Sequence, residues 1–334
     1  MRPSFQPRLI NGPFHDPGLL VHLTFQRRAL LFDMGDLGAL APNDLVKIEH
    51  VFISHTHMDH FIGFDHLLRS LLGRDKTLYL YGPKGFLDNV AGKMRAYTWN
   101  LVQNYAEALT VRVTEIDEDE VIQKTFDCRA GFMPSQPKIT PREGNTIYRC
   151  PAFTVQTTIL DHQIPCLAFS LQEQFHVNIL KPQLDAMGLT VGPWLTSFKH
   201  LLFGNADPAT EVDVTTADGD HLKRSYGLGE LRDRIASITR GQKIVYVADA
   251  LYSPDNEEKI VALARNADHL YIEAAFLESE ADIARAKFHL TARQAGLLAR
   301  KANAAQMSIF HHSPRYFGQA HLLETEARQA FEAR

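Results

Sequence analysis

The stretch that most constrains this chain is Val51-Phe-Ile-Ser-His-Thr-His-Met-Asp-His60. Its short apolar start reads as a buried strand that ends in His55, His57, Asp59 and His60, and the apolar Phe61, Ile62 and Leu67 follow at helix-like spacing. Imidazole is the commonest metal ligand among side chains, and carboxylate suits the same borderline-to-hard divalent ions. Alternation in an extended loop aims His55 and His57 at one point. Asp59 and His60, at the mouth of the next helix, face a second point close by. A lone histidine in such a loop is ordinarily a surface residue. Four ligand-type side chains in six positions after a buried strand point instead to a metal site. Asp59 also stands where a helix N-cap would, so capping is the bland alternative for it.

With 334 residues the chain can bury a large core, as one big domain or a domain with an insertion. A net charge of −4 gives no global basic field, so any nucleic-acid partner must be held by a local patch. Cys128, Cys150 and Cys166 are odd in number and widely spaced, which predicts reduced thiols and not a disulfide frame. The N-terminal residues hold no apolar signal core, and no run of about 18 apolar residues occurs. The expectation is a cytoplasmic protein with no membrane partner.

Residues 19–25 and 29–34 read as adjacent strands, the second ending in Asp33-Met-Gly-Asp36 beside the metal loop. A helix is expected over 59–72, a strand over 77–81 and a largely helical stretch from 86 to about 104. Short β segments follow at 109–116, 121–130, 146–149, 152–160 and 166–172. Residues 175–242 read as an insertion with few clear apolar periods and basic residues at Lys181, Lys199, Lys223, Arg224, Arg232, Arg234 and Arg240. The core pattern resumes with a strand at 243–249 and another at 269–273. Helices near 254–266, 279–286 and 291–303, a strand at 306–310 and a helix at 318–332 complete the chain. The alternation predicts sheets flanked by helices in one domain over 1–334, with an arm at about 175–242.

A site for two ions needs about five to seven ligands, and strand ends are the rigid points from which side chains reach one cleft. Three candidates lie there: His162 in the turn between two strands, Asp249 at the end of the 243–249 strand, and His311 after the apolar 306–310 run. Each alone reads as a loop residue. As a set they complete the first motif, and a carboxylate such as Asp249 can bridge two cations ~3.5–4 Å apart.

His55-Thr-His-Met-Asp-His60 with these later residues resembles the metallo-β-lactamase superfamily. Within it, Tyr271-Ile-Glu-Ala-Ala-Phe276, Phe288-His-Leu-Thr-Ala292 and His311-His-Ser-Pro-Arg-Tyr316 are similar to the signatures of the ribonuclease Z branch. The resemblance implies an α/β four-layer αββα sandwich, two divalent ions and a phosphodiesterase acting on tRNA 3′ ends. It places one ion at His55, His57 and His162 and the second at Asp59, His60 and His311, with Asp249 between them; a register slip by one would put His312 in place of His311. Zinc is the first choice for the His-rich shell, with manganese and iron left open. The resemblance also implies that Glu273 and His289 flank the scissile phosphate, Glu273 orienting the imidazole that assists the departing oxygen, and that Asp59 orients the attacking water or accepts its proton. A homodimer is implied as well, the arm of one subunit serving the site of the other.

The chain departs from that branch in places. Asp33-Met-Gly-Asp-Leu-Gly38 replaces its glycine-rich run, and Phe64-Asp-His66 follows the metal loop, where His66 reads as a surface residue. The alternatives are a hydrolase of small phosphodiesters, esters, lactones or thioesters without RNA specificity, or an inactive RNA-binding scaffold with a vestigial site. A diiron redox enzyme is disfavoured because a Glu is expected where His57 stands.

Overall fold

Among the described residues up to 141, eight strands lie side by side in sequence order: Phe5–Leu9, Leu19–Leu23, Ala29–Phe32, Ile48–Phe52, Lys76–Pro83, Leu109–Ile116, Glu120–Asp127 and Lys138–Pro141. The computed structural model describes residues 4–24, 26–216 and 224–333, so Phe25 and Lys223 lie outside the described residues. The strands from Ala29–Phe32 to Leu109–Ile116 pair in parallel, and those outside them pair antiparallel. Ala29–Phe32 is buried at every position, as expected of an inner strand covered on both faces. A second sheet has the order Met307–Phe310, His269–Glu273, Lys243–Val247, Pro165–Glu173, Phe153–Asp161, Thr146–Arg149.

The two sheets meet through aromatic side chains. Phe32 lies 5.1 Å from Phe52, 5.7 Å from Phe169 and 6.0 Å from Tyr246, ring centre to ring centre. Each such ring withdrawn from water contributes about 1.5–3 kcal/mol. Helices Phe64–Leu71 and Phe86–Arg95 pack Leu67, Leu68, Val90 and Met94 against the first sheet. Pro254–Ala264, Ala292–Lys301 and Ala320–Glu332 pack Ile260, Leu298 and Leu323 against the second. The layers run helix, sheet, sheet, helix, which is the expected sandwich.

Contacts divide the chain into two units, the larger holding Phe5–Thr146, Gln156–Ser170 and Ile244–Arg334. The smaller contains Ser4, Ile147–Val155 and Leu171–Lys243, and so the whole of the expected arm. That segment is better structured than its thin periodicity implies. It carries helices at Lys181–Ala186, Trp194–Phe203 and Leu228–Ile235 and two strand pairs, Phe175–Ile179 with Ala236–Arg240 and Glu211–Val214 with Arg224–Gly227. Val177, Leu184, Trp194, Phe198, Val212 and Leu231 form its own core. Lys181 pairs with Asp185, Arg232 with Asp233 and Arg234 with Glu230, so much of its expected basic character is cancelled locally. Among the described residues no helix is long and apolar enough to cross a membrane.

Two helix expectations need correction. The helix expected over 59–72 is two helices, Met58–Phe61 and Phe64–Leu71. The break is forced by tertiary bonds: the Met34 amide donates to His60 O, and the Gly63 amide donates to Met34 O. A Cβ on Gly63 would sit 2.2 Å from Gly35 O, so only glycine allows that approach. The helix expected from 86 to about 104 ends at Arg95. Beyond it the Trp99 indole N–H turns back to donate to Met94 O at 2.8 Å, and its ring packs edge-on against Phe132.

Candidate metal centre

All the residues of the site lie in the larger unit. The Ile48–Phe52 strand delivers Ser54 and His55, pinned by Ile53 N–H to Tyr81 O and Leu167 N–H to Ser54 O, both at 2.8 Å. His57 precedes the Met58–Phe61 helix and takes its N-cap position, without a side-chain cap. Asp59 lies inside the first turn, so the capping alternative for it falls.

Beside this loop the Ala29–Phe32 strand ends in Asp33, fully buried, with φ 55°. Its carboxylate accepts from Ser54 N–H at 2.7 Å, Ser54 Oγ at 2.8 Å, His60 Nδ1 at 2.8 Å and Tyr246 OH at 3.0 Å. The bond at Nδ1 fixes the His60 tautomer and leaves Nε2 facing the cluster. Sequence reasoning noted Asp33 as an acidic strand end but missed Ser54 and Tyr246 as its partners. The only signal for Tyr246 was a phenol in a buried strand, where the OH must find a partner.

His162 sits in the turn between Phe153–Asp161 and Pro165–Glu173, and its Nδ1–H donates to Phe288 O at 2.7 Å. Asp249 follows the Lys243–Val247 strand and is 2% exposed. Its Oδ2 lies 3.7 Å from His55 Nε2 and 3.5 Å from both His60 Nε2 and His162 Nε2, while Oδ1 lies 3.2 Å from His311 Nε2. One carboxylate thus faces four imidazoles of the cluster, with His289 Nδ1 a fifth at 3.9 Å, the geometry suited to a bridge. Burial alone would raise Asp249, but His311 and His60 hold it well below the usual carboxylate range.

His311 follows the Met307–Phe310 strand with φ 61°, a left-handed conformation that aims its ring inward, 3.6 Å from Asp59. His312 does not join it. Its Nδ1–H donates to Ala274 O at 2.9 Å, and burial lowers its pKa to about 4. His66 is exposed on Phe64–Leu71, outside every ligand group found among the described residues.

The donors gather into two groups, His55, His57, His162 and Asp249 in one and Asp59, His60 and His311 in the other, with the atoms of each group within 4.8 Å of one another. The Nε2 atoms of His55 and His60 are buried with no hydrogen-bond partner among the described residues. Burying such atoms unpaired costs about 1–3 kcal/mol each, so the donor set fits divalent cations.

On the wall of the cluster, Glu273 ends the His269–Glu273 strand fully buried, and Oε1 accepts from Ala250 N–H at 2.9 Å and Leu290 N–H at 3.2 Å. His289 Nδ1 lies 3.1 Å from Glu273 Oε2. Burial would push this imidazole down, yet the charge and hydrogen bond of Glu273 override it and raise the pKa to about 9. Thr291 and Gln294 form a capping box that starts the next helix, which fixes the chain two residues beyond His289.

Residues 32–158 match the beta-lactamase superfamily domain. The chain is 30% identical to the ribonuclease Z of Deinococcus radiodurans, over 86% of this chain and 83% of that one. It is 28% identical to the ribonuclease Z of Enterococcus faecalis, over 94% of this chain and 87% of the other. Among solved structures its fold is similar to the metallo-β-lactamase fold protein YhfI from Bacillus subtilis, with a TM-score of 0.54, 18% identity and coverage of 98% and 94%. It is similar also to human tRNase Z, short form, with a TM-score of 0.50, 19% identity and coverage of 94% and 93%. The chain therefore belongs to the ribonuclease Z family of metal-dependent hydrolases, within the metallo-β-lactamase superfamily.

Proposed function

We propose that this protein is a binuclear endoribonuclease that cuts RNA phosphodiesters at tRNA 3′ ends. The observation that carries the reading is the Glu273–His289 pair beside the ligand cluster, with the His289 ring centre 5.5 Å from that of His311. A hydrolase of this fold needs only the cluster to generate a nucleophile. A carboxylate-held, protonated imidazole beside it supplies a proton to a poor leaving group such as a ribose oxygen.

His55, His57 and His162 would hold one ion and Asp59, His60 and His311 the second, with Asp249 facing both groups. The imidazole-rich shell makes zinc the first choice. Bound there, two divalent ions would lower the pKa of water towards neutrality and offset charge on the phosphoryl oxygens. Asp59, at the open edge of the cluster, orients the attacking water. As the new P–O bond forms and the bond to the ribose oxygen breaks, His289 gives its proton to that oxygen, and Glu273 holds the ring in place throughout. The reading further takes residues 175–242 as a substrate arm within a single domain and the working protein as a cytoplasmic homodimer.

The test is turnover of a precursor tRNA carrying a 3′ trailer, beside bis(p-nitrophenyl) phosphate, before and after chelation. Both substrates should be cleaved, both activities lost on chelation and both restored by zinc. Cleavage of the small diester alone would remove the RNA reading. Turnover of lactones or thioesters, indifferent to Glu273→Ala, would put a small-ester hydrolase in its place.

A further inference from the structure

Phe317 is 73% exposed, yet it is not a lone surface aromatic. Its ring stands 5.5 Å from Phe14, which in turn meets the ring of His312 edge-on at 5.4 Å. His312 neighbours the cluster residue His311, and its backbone N–H donates to Pro13 O at 2.7 Å. Both aromatics are held by bonded backbone. The Phe317 amide donates to Pro314 O at the end of a short 3-10 turn, and Gly318 follows at φ 77°. Phe14 lies on a loop closed by Ile10 N–H to Gly18 O and by Asn11 Nδ2, which reaches the carbonyls of both Asp16 and Asp36. The same loop is tied to the metal-loop side by backbone: the Gly35 amide donates to Pro17 O at 3.0 Å and the neighbouring Met34 amide donates to His60 O at 2.9 Å.

The chemistry of this lip is selective. No Lys or Arg occurs between residues 9 and 26, and the one cation on Phe317's own turn, Arg315, is paired with Glu280. What it offers is a preorganised aromatic face. A nucleobase has a neutral π surface that stacks on such a face whatever its sequence. We propose that Phe317, backed by Phe14, is a stacking shelf for one unpaired base of the RNA next to the cleaved phosphodiester, and so a specificity residue for single-stranded over paired substrate. This rests on the endoribonuclease reading above.

The experiment uses precursor tRNA with a short unpaired 3′ trailer and a matched set in which each nucleotide flanking the cleavage site is made abasic in turn. Against wild type, Phe317→Ala should raise KM on the intact RNA about 5- to 150-fold, the range for losing one base–aromatic stack. One abasic substrate should cost the wild type a similar factor and cost Phe317→Ala nothing further, and Phe317→Trp should restore the intact-RNA KM. Zinc content and melting temperature of the variants check their integrity. An unchanged KM in Phe317→Ala would overturn the shelf, as would equal losses on intact and every abasic RNA. A change in oligomeric state on Phe317→Ala would also overturn it, by assigning the face to a second copy of the chain. If wild type cleaves no RNA at all, the endoribonuclease reading has failed first; if it does and the variant is indifferent, this inference alone has failed.

Discussion

Replacing Asp33 by Asn changes one atom and tests how the metal loop is held. Asn tolerates the left-handed φ of 55° as Asp does, so the backbone is not strained by the exchange. Of the bonds Asp33 accepts, that from Ser54 N–H goes to Oδ1, while Ser54 Oγ, His60 Nδ1 and Tyr246 OH all converge on Oδ2. With the amide oxygen kept on the Ser54 amide, the NH2 faces those three groups. The two hydroxyls can rotate to accept. His60 can accept only by moving its proton from Nδ1 to Nε2, the nitrogen that must be bare to bind a cation. Losing a hydrogen bond to a charged group removes about 1.5–3 kcal/mol, and substitutions behind a metal-binding histidine weaken affinity about 10–100-fold. The two ranges agree. Competition with a chromophoric chelator should therefore give a zinc affinity 10–100-fold weaker for Asp33→Asn, with a melting midpoint lower by several degrees, since each kcal/mol is worth roughly 2–4 °C in a chain of this order. Wild-type affinity for both ions in Asp33→Asn would refute the orienting role.

Two further predictions follow from the same geometry. Asp249→Asn removes the charge that faces four cluster imidazoles and His289, so metal analysis should find fewer ions than in wild type. Turnover should fall by about three orders of magnitude or more, as several kcal/mol of charge stabilisation is lost; full occupancy in that variant would count against the bridge. Glu273→Gln should keep its metal yet slow RNA cleavage by about 10²–10⁴-fold. Because Glu273 raises His289 to about 9, the acid form is present below that pH and is lost as pH rises through it. Without the Glu273 carboxylate only Asp249 is left to oppose the lowering effect of burial, so the alkaline limb of the pH–rate profile should move to lower pH, and an unmoved limb would assign that limb to another group.

Much of this site was readable because metal chemistry restricts residue type while strand ends restrict position. His55, His57, Asp59 and His60 announce themselves by density, and His162, Asp249 and His311 by standing where buried runs stop. The residues that hold them carry no such mark. Asp33 was visible as an acid at a strand end, but its partners Ser54 and Tyr246 come from elements distant in sequence and meet it only once the two sheets face each other. The broken helix shows the same limit. Phe61, Phe64, Leu67 and Leu68 keep an unbroken apolar rhythm, and the rhythm is real, since all four are buried in one core. What divides the helix is the pair of bonds between Met34 and the backbone of His60 and Gly63, which ties the first metal-loop helix to the Asp33 strand end. The break thus fixes the one backbone segment that carries both Asp59 and His60, and the local periodicity that hides it is satisfied by packing the same side chains on either side of the kink. For the segment 175–242 the difficulty was the reverse: its apolar residues are divided among short helices and two-stranded pairs, and they form a core only when gathered from some sixty positions apart. A period is legible where one element buries one face, and it fades where several short elements each contribute a side chain or two.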